Sequence, residues 1–125
     1  MDVTPLVREG AQIVQSYAGG RFRVSGAVYE GAVIVFPDRS RVWAVQGGVE
    51  DLSVTDFEPF IERAGEIDVV LLGVGARMRF LPAALKSALK DRGLRVDTMD
   101  TGAACRTYNV LMAEGRRVAA GLFPV

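Results

Sequence analysis

The 125-residue sequence has no histidine and one cysteine, Cys105. The missing histidine excludes histidine-centred catalytic triads, the HExxH zinc site and the zinc-deaminase signature. A lone cysteine excludes an intrachain disulfide and four-sulfur structural zinc, and it suits a reducing compartment. Neither sign of charge is in excess, since 15 Lys and Arg face 15 Asp and Glu. That balance argues against nucleic acid or an anionic membrane as the main partner. Aromatics are sparse and not interleaved with a basic stripe, so a stacking platform for single strands is not expected. The longest apolar runs, such as VVLLGVGA over 69–76, fall well short of the roughly 20 residues of a membrane-spanning helix. The opening MDVTPLVREG has no basic-then-apolar pattern, so it does not read as a signal peptide. The expected location is cytoplasmic.

What is present is a core. Half of the residues are apolar and the mean hydropathy is +0.21, which argues against global disorder. A chain of this length is the size of one domain and buries about two-thirds of its extended surface without a metal or disulfide staple. Residues 1–125 therefore read as a single domain, with no internal repeat or linker.

The first half reads as short strands. Phe22, Val24 and Tyr29 sit around Gly26, AVIVF over 32–36 is a buried run, Pro37-Asp38 supplies a turn, and Arg41–Val45 resumes the extended pattern. The second half changes period. Thr55 and Glu58 have capping-box spacing ahead of a helical repeat of Phe57, Phe60, Ile61 and Ala64. DVVLLG over 68–73 reads as a strand covered on both faces. Pro82 fits the first turn of a helix that lines up Leu85, Ala88 and Leu89 and closes at Gly93. A strand over 94–99, a helix from about Thr101 to Glu114 and a strand over 117–123 complete the chain. Strand and helix alternation after residue 67 predicts an α/β core with at least two parallel neighbours.

Two segments could carry chemistry. The loop Gly73-Val74-Gly75-Ala76-Arg77-Met78-Arg79-Phe80 follows a presumed sheet strand, where α/β folds place ligands. Backbone N–H groups at Gly73 and Gly75 with Arg77 or Arg79 would suit a carboxylate or phosphate. The loop lacks the third glycine of a dinucleotide fingerprint and the Lys-Ser/Thr ending of a P-loop. The bland reading is a strand-exit turn with surface arginines. The second segment runs from Met99 to Asn109. Asp100 or Thr101 can cap the following helix, and the Gly-Ala-Ala stretch over 102–104 allows close approach of a strand or a ligand. Cys105, early in that helix and beside Arg106, reads either as a thiol activated by dipole and charge or as a small buried hydrophobe. A nucleophilic cysteine ordinarily needs a base, and no histidine is available. Asp97, Asp100 and Glu114 read as a cap (Asp100) and ordinary ion pairs of Arg106 with Glu114 or Asp97, or as a carboxylate pair for acid/base work or a hard cation. Trp43 either packs inside or anchors an interface. No catalytic set, metal site or cofactor is called.

Charge is uneven along the chain. Residues 50–68 are acidic apart from Arg63, and residues 77–95 are basic apart from Asp91. A polarised surface of that kind orients a partner even at zero net charge.

The segments GVGARMRFLP (73–82) and MDTGAACRTYNVLMAEGRRVAAGLFP (99–124) resemble the uncharacterised family called the Mth938-like domain, also known as a domain of unknown function. The resemblance covers nearly the whole chain, more loosely at the N-terminal strands and the AVQGG turn (44–48). It implies a three-layer α/β fold with a central mixed β-sheet, N-terminal antiparallel strands and a C-terminal alternating strand/helix core. It also implies relatives that include a mitochondrial assembly factor for respiratory complex I and a protein linked to adipogenesis, neither of them an enzyme. The expected function is that of a non-catalytic protein-interaction or assembly factor. The alternative is a small-anion binder or enzyme using the 73–80 loop and the 100–109 helix start. The candidate residues for either are Gly73, Gly75, Arg77, Arg79, Asp100, Thr101, Cys105 and Arg106. Partners are expected to be another protein, or a second copy meeting through Trp43 or the Gly-Ala-Ala turn.

Overall fold

The computed structural model describes residues 10–125. Strands β1 (Val14–Ala18), β2 (Arg21–Val24) and β3 (Ala27–Glu30) form an antiparallel meander. Its two tight connections, Gly19-Gly20 and Ser25-Gly26, all carry positive φ, the backbone that matches the twist of adjoining strands. Strands β4 (Val33–Val35) and β5 (Ser40–Val42) make a second hairpin. The expected strand through Val45 stops at Val42. Trp43 leaves the strand direction to bury its ring, which lies 5.6 Å from each of Phe57, Phe60 and Phe123 between centroids.

The large sheet runs β5-β4-β8-β6-β7, where β6 is Val69–Gly73, β7 is Val96–Met99 and β8 is Val118–Leu122. β6 is parallel to both β7 and β8, and β8 is antiparallel to β4. The alternation rule for strands sorts the buried side chains into two sets. Ile34, Val70, Leu72 and Ala119 point to one face, while Val33, Val35, Leu71, Ala120 and Leu122 point to the other. The path β6 to β7 steps one way across the sheet, and β7 to β8 steps back over β6. Right-handed crossovers then require the two connecting helices to lie on opposite faces. They do: Leu89 of α2 (Ala83–Asp91) joins the first face, and Ala104, Cys105, Tyr108 and Met112 of α3 (Thr101–Ala113) join the second. The meander shares the second face with α3 through Val14, Phe22 and Val24. The expected three-layer α/β fold with a central mixed sheet is observed.

Three local readings are corrected. The segment after Gly48 is a series of short turns rather than one helix: two 3-10 turns (Val49–Asp51, Val54–Phe57), α1 (Glu58–Ile61) and a third 3-10 turn (Ala64–Glu66). Its cap sits two residues earlier than Thr55 and Glu58, with the Ser53 N–H donating to Asp56 Oδ2 at 2.8 Å. Pro82 precedes the first turn of α2 with an extended ψ of 137°, because its ring fixes only φ. Gly93, at φ +86°, closes α2 as expected.

Candidate functional site

The carboxyl ends of β6, β7 and β8 meet at one edge of the large sheet, as their parallel register dictates. Gly73, Met99 and Leu122 end the three strands there, and the buried side chain of Thr101 ties them together. Its Oγ1 donates to the Phe123 carbonyl at 2.7 Å and accepts from the Gly75 N–H at 2.9 Å. Its own N–H donates to the Gly75 carbonyl at 2.8 Å, and the Phe123 N–H donates to the Gly73 carbonyl at 2.8 Å. Thr101 is thus fully engaged by the fold and has no hydroxyl proton to offer a ligand.

The two glycines are also explained by packing and backbone. A Cβ on Gly73 would lie 3.0 Å from Leu122 Cδ2 and from Thr101 Cα. Gly75 has φ +106°, which side-chain-bearing residues rarely adopt. Asp100 caps α3, its Oδ1 accepting from the Ala103 N–H at 3.0 Å. A Cβ on Gly102 would meet Tyr17 Oη at 2.7 Å, so the Gly-Ala-Ala stretch accommodates β1 rather than a ligand.

Cys105 is buried. Burial pushes its thiol up to about 12, outweighing the nearby Arg106 charge, while the Asp100 carboxylate adds to the rise. The activated-thiolate reading is overturned, because removal of solvent penalises the anion more than Arg106 stabilises it. Tyr108 is buried too, which holds its phenol well above the ordinary range; its hydroxyl donates to the Gln12 carbonyl at 2.9 Å. Asn109 grips β1 with both ends of its amide. Oδ1 accepts from the Val14 N–H at 2.9 Å, and Nδ2 donates to the Val14 carbonyl at 2.8 Å. Arg106 is exposed, and among the described residues its one hydrogen bond is to the Tyr17 hydroxyl, at 3.4 Å. The ion pairs expected for Asp97, Arg106 and Glu114 fall elsewhere: Asp97 faces Arg95 at 3.6 Å and Glu114 faces Arg116 at 4.0 Å.

What remains free is the strip over 76–80. Arg77, Met78, Arg79 and Phe80 are all exposed, with Phe80 at 81%. Arg79 bonds Glu50 Oε2 at 3.0 Å. Arg77 makes no ion pair among the described residues. An open cleft of about 490 Å³ lies between this strip and the Gly48–Glu50 turn, with Pro124 on its rim. Glu50 lines that cleft and pairs with Arg79, so of the two arginines lining it only Arg77 is without an ion pair among the described residues. Met78 and Phe80 belong to the 73–80 loop expected from sequence as a contact region and match the family motif, but the candidate residues named within it are the glycines and arginines. Their signal was the alternation Arg-Met-Arg-Phe, which in an exposed segment leaves two apolar side chains without a core to enter. Of the two surfaces expected to serve self-association, Trp43 is buried, and in the Gly-Ala-Ala stretch Gly102 and Ala104 are buried while Ala103 is half-buried.

The acidic and basic segments do not form opposed poles. Glu50 pairs with Arg79, and Glu58 pairs with Arg92 at 3.6 Å, so each segment partly neutralises the other across the helical face. No helix among the described residues is long and apolar enough to cross a membrane, and no cluster of metal-ligating side chains occurs among them.

Residues 14–123 match the sequence profile of a family described as a protein of unknown function, DUF498/DUF598. The chain belongs to the DUF498/DUF598 family. It is 36% identical over 93% of its length to an uncharacterised Rhodobacter capsulatus protein, covering 87% of that protein. It is 37% identical over 90% of its length to the zebrafish NADH dehydrogenase [ubiquinone] 1 alpha subcomplex assembly factor 3, and spans 64% of that longer chain. Among solved structures, a Bartonella henselae protein described as an outer membrane protein superposes with a TM-score of 0.83 at 35% identity, covering 93% of this chain and 97% of that one. A Bordetella pertussis protein described as a Mth938-like domain superposes with a TM-score of 0.77 at 27% identity, covering 99% and 92% respectively. The expected Mth938-like fold is therefore the fold observed. The motif residues of this chain, Thr101, Tyr108 and Asn109 above all, fasten α3 to the ends of β6 and β8 and to the segment at β1.

Proposed function

We propose that this chain is a non-catalytic protein-interaction module that assists the assembly of another complex from the cytoplasmic side. The observation that carries this reading is the exposure of Met78 and Phe80 beside Arg77 and Arg79, taken with the engagement of Thr101, Tyr108 and Asn109 in the scaffold and the burial of Cys105. Large apolar side chains left in water at a loop, with arginine beside them, have the composition of an interface anchor. The similarity to complex I assembly factors supports the same reading, with the partner of this chain being a protein. Arg106, on the exposed side of α3, extends the surface toward β1. The test is quantitative affinity capture comparing the wild-type chain with Arg77→Ala/Arg106→Ala and with Phe80→Ser, each verified as folded. The expected result is a specific protein partner depleted about tenfold or more in both variants. Equal recovery of the partner by all three chains overturns the placement.

One observation favours a second reading, that of a small-anion site. The cleft beside Gly75 presents Arg77 without a carboxylate partner among the described residues. Calorimetric titration with inorganic phosphate and with acetate discriminates the two, since the anion reading requires saturable binding that Arg77→Ala removes.

A further inference from the structure

The side chains of the 76–80 strip fall into two sets. Arg77 and Arg79 line the open cleft of about 490 Å³ beside Gly75, whereas Met78 and Phe80 do not. A partner that covers the strip therefore meets guanidinium groups on the cleft side and apolar surface on the other. The backbone of residues 76–81 makes no hydrogen bond to other backbone among the described residues. The strip thus has no strand or helix of its own chain laid against it there.

The opposite wall of the cleft is the 3-10 turn Val49–Asp51, which brings Glu50 to the arginines. Arg79 Nη1 donates to Glu50 Oε2 at 3.0 Å. The two carboxylate oxygens lie 2.8 and 2.9 Å from the position that a Cβ on Gly48 would take, so the carboxylate rests against the bare backbone of Gly48. Arg77 has no ion pair among the described residues. Two guanidinium groups and one carboxylate line the cleft, which leaves it positive although the chain as a whole is neutral. The Glu50 and Arg79 side chains are 63% and 60% exposed, and an ion pair so exposed is weak and readily exchanged.

We propose that the cleft takes a glutamate or aspartate side chain of the partner protein between Arg77 and Arg79, and that Glu50 is the chain's own competitor for that position. This rests on the reading of the 76–80 strip as the contact surface and adds the chemistry of what it contacts. The partner segment carries an acidic side chain flanked by apolar ones, the carboxylate bonding the guanidinium groups and the apolar flanks covering Met78 and Phe80. Its entry replaces one ion pair of Arg79 by another and gives Arg77 a pair that it lacks. The unbalanced charge of Arg77 is what favours the incoming carboxylate over Glu50. A free small anion makes the same ionic contacts but none with Phe80, so the apolar flanks tell the two apart.

The test is an amide-shift titration of the ¹⁵N-labelled full chain. The probes are two capped seven-residue peptides, one alternating leucine with glutamate and one alternating leucine with glutamine, and acetate as the free carboxylate. The glutamate peptide is expected to shift residues 74–80 saturably, with the glutamine peptide and acetate binding at least about tenfold more weakly. Arg77→Ala should remove the preference for glutamate. Glu50→Gln should tighten the glutamate peptide about two- to fivefold, the worth of an exposed ion pair. Glu62→Gln makes the same change of net charge at an exposed residue outside the cleft and should leave the affinity unchanged. Gly48→Ala keeps every charge, crowds the Glu50 carboxylate out of its position, and should act in the same direction as Glu50→Gln. The proposal is overturned by equal affinity for the two peptides, by equal effects of Glu50→Gln and Glu62→Gln, or by acetate binding as tightly as the glutamate peptide. No response up to the peptides' solubility limit, or self-association on concentration that Arg77→Ala abolishes, overturns it too. Affinity capture separates its failure from that of the strip. Partner recovery that falls with Phe80→Ser but is unmoved by Glu50→Gln removes the carboxylate position alone, whereas recovery unmoved by both removes the strip as well.

Discussion

At the level of single residues, the chemistry that a sequence advertises is decided by burial. Cys105 carries the residue type and the helix position of a reactive thiol, yet it sits among Ala104, Tyr108, Leu71 and Leu122 in the second core. The sequence showed Arg106 next to it but could not show that the guanidinium points outward while the sulfur points in. The pH consequence has a definite sign. With burial pushing the thiol up to about 12, the native state keeps a proton that the unfolded state releases near the ordinary thiol value of about 8.5. The stabilisation is complete below that value and is lost as pH rises through the folded value, with a slope bounded at about 1.4 kcal/mol per pH unit. Urea unfolding between pH 8 and 11 is expected to show falling stability, and Cys105→Ala a shallower fall. Tyr108, whose phenol is also held up by burial, steepens both curves alike above its ordinary value of about 10. Superimposable slopes for the two proteins would refute the assignment. The thiol should likewise resist a soluble disulfide reagent at pH 8 until the chain is unfolded.

Among the elements, those with a strong local signal were legible, and those defined by distant partners were not. The parallel strands β6 to β8 and the helices α2 and α3 follow from apolar periodicity and helix-stop glycine, which act within one or two turns of chain. The short turns over 49–66 did not, because Phe57 and Phe60 are held by Trp43 and Phe36 and not by a continuous helical repeat. The end of β5 at Val42 has the same cause: the pull of the aromatic cluster on Trp43 overrides its strand propensity. The anchorage of β1 was invisible for a different reason. Asn109 lies 95 residues from Val14, and no local pattern signals so distant a bond. Because both amide ends are used, Asn109→Ala leaves a partly buried N–H and carbonyl of β1 unpaired, a loss of about 1–3 kcal/mol. Asn109→Asp keeps the acceptor and loses the donor, so an intermediate loss is expected. Hydrogen exchange should localise the change: the Val14 amide speeds up well before those of β6 and β8. A uniform acceleration across all strands would mean that β1 is not a separable unit.

Across the whole molecule, the determinants of stability and the surfaces left for partners are spatially separate. Gly73, Gly75, Thr101, Tyr108 and Asn109 are committed to joining α3 to the ends of β6 and β8 and to the segment at β1, whereas Met78 and Phe80 contribute to no core cluster. Sequence pattern alone grouped all of them in two motifs and could not divide them, since residue type does not reveal which polar groups are already satisfied. The division leads to a joint prediction on stability and association. Phe80, 81% exposed, buries so little that Phe80→Ser should change unfolding free energy by no more than about 0.5 kcal/mol. The same substitution removes the largest apolar side chain from the 76–80 strip and should depress partner recovery sharply. The neutralisation of the acidic segment by Arg79 and Arg92 adds a control. Exposed pairs of this kind contribute only about 0–1 kcal/mol and are screened by salt, so high ionic strength should leave the fold intact. Partner binding that depends on Phe80 should then persist in salt, because apolar burial is not screened. A Phe80→Ser chain that unfolds early would instead place Phe80 in the scaffold and remove the apolar anchor from the proposed surface.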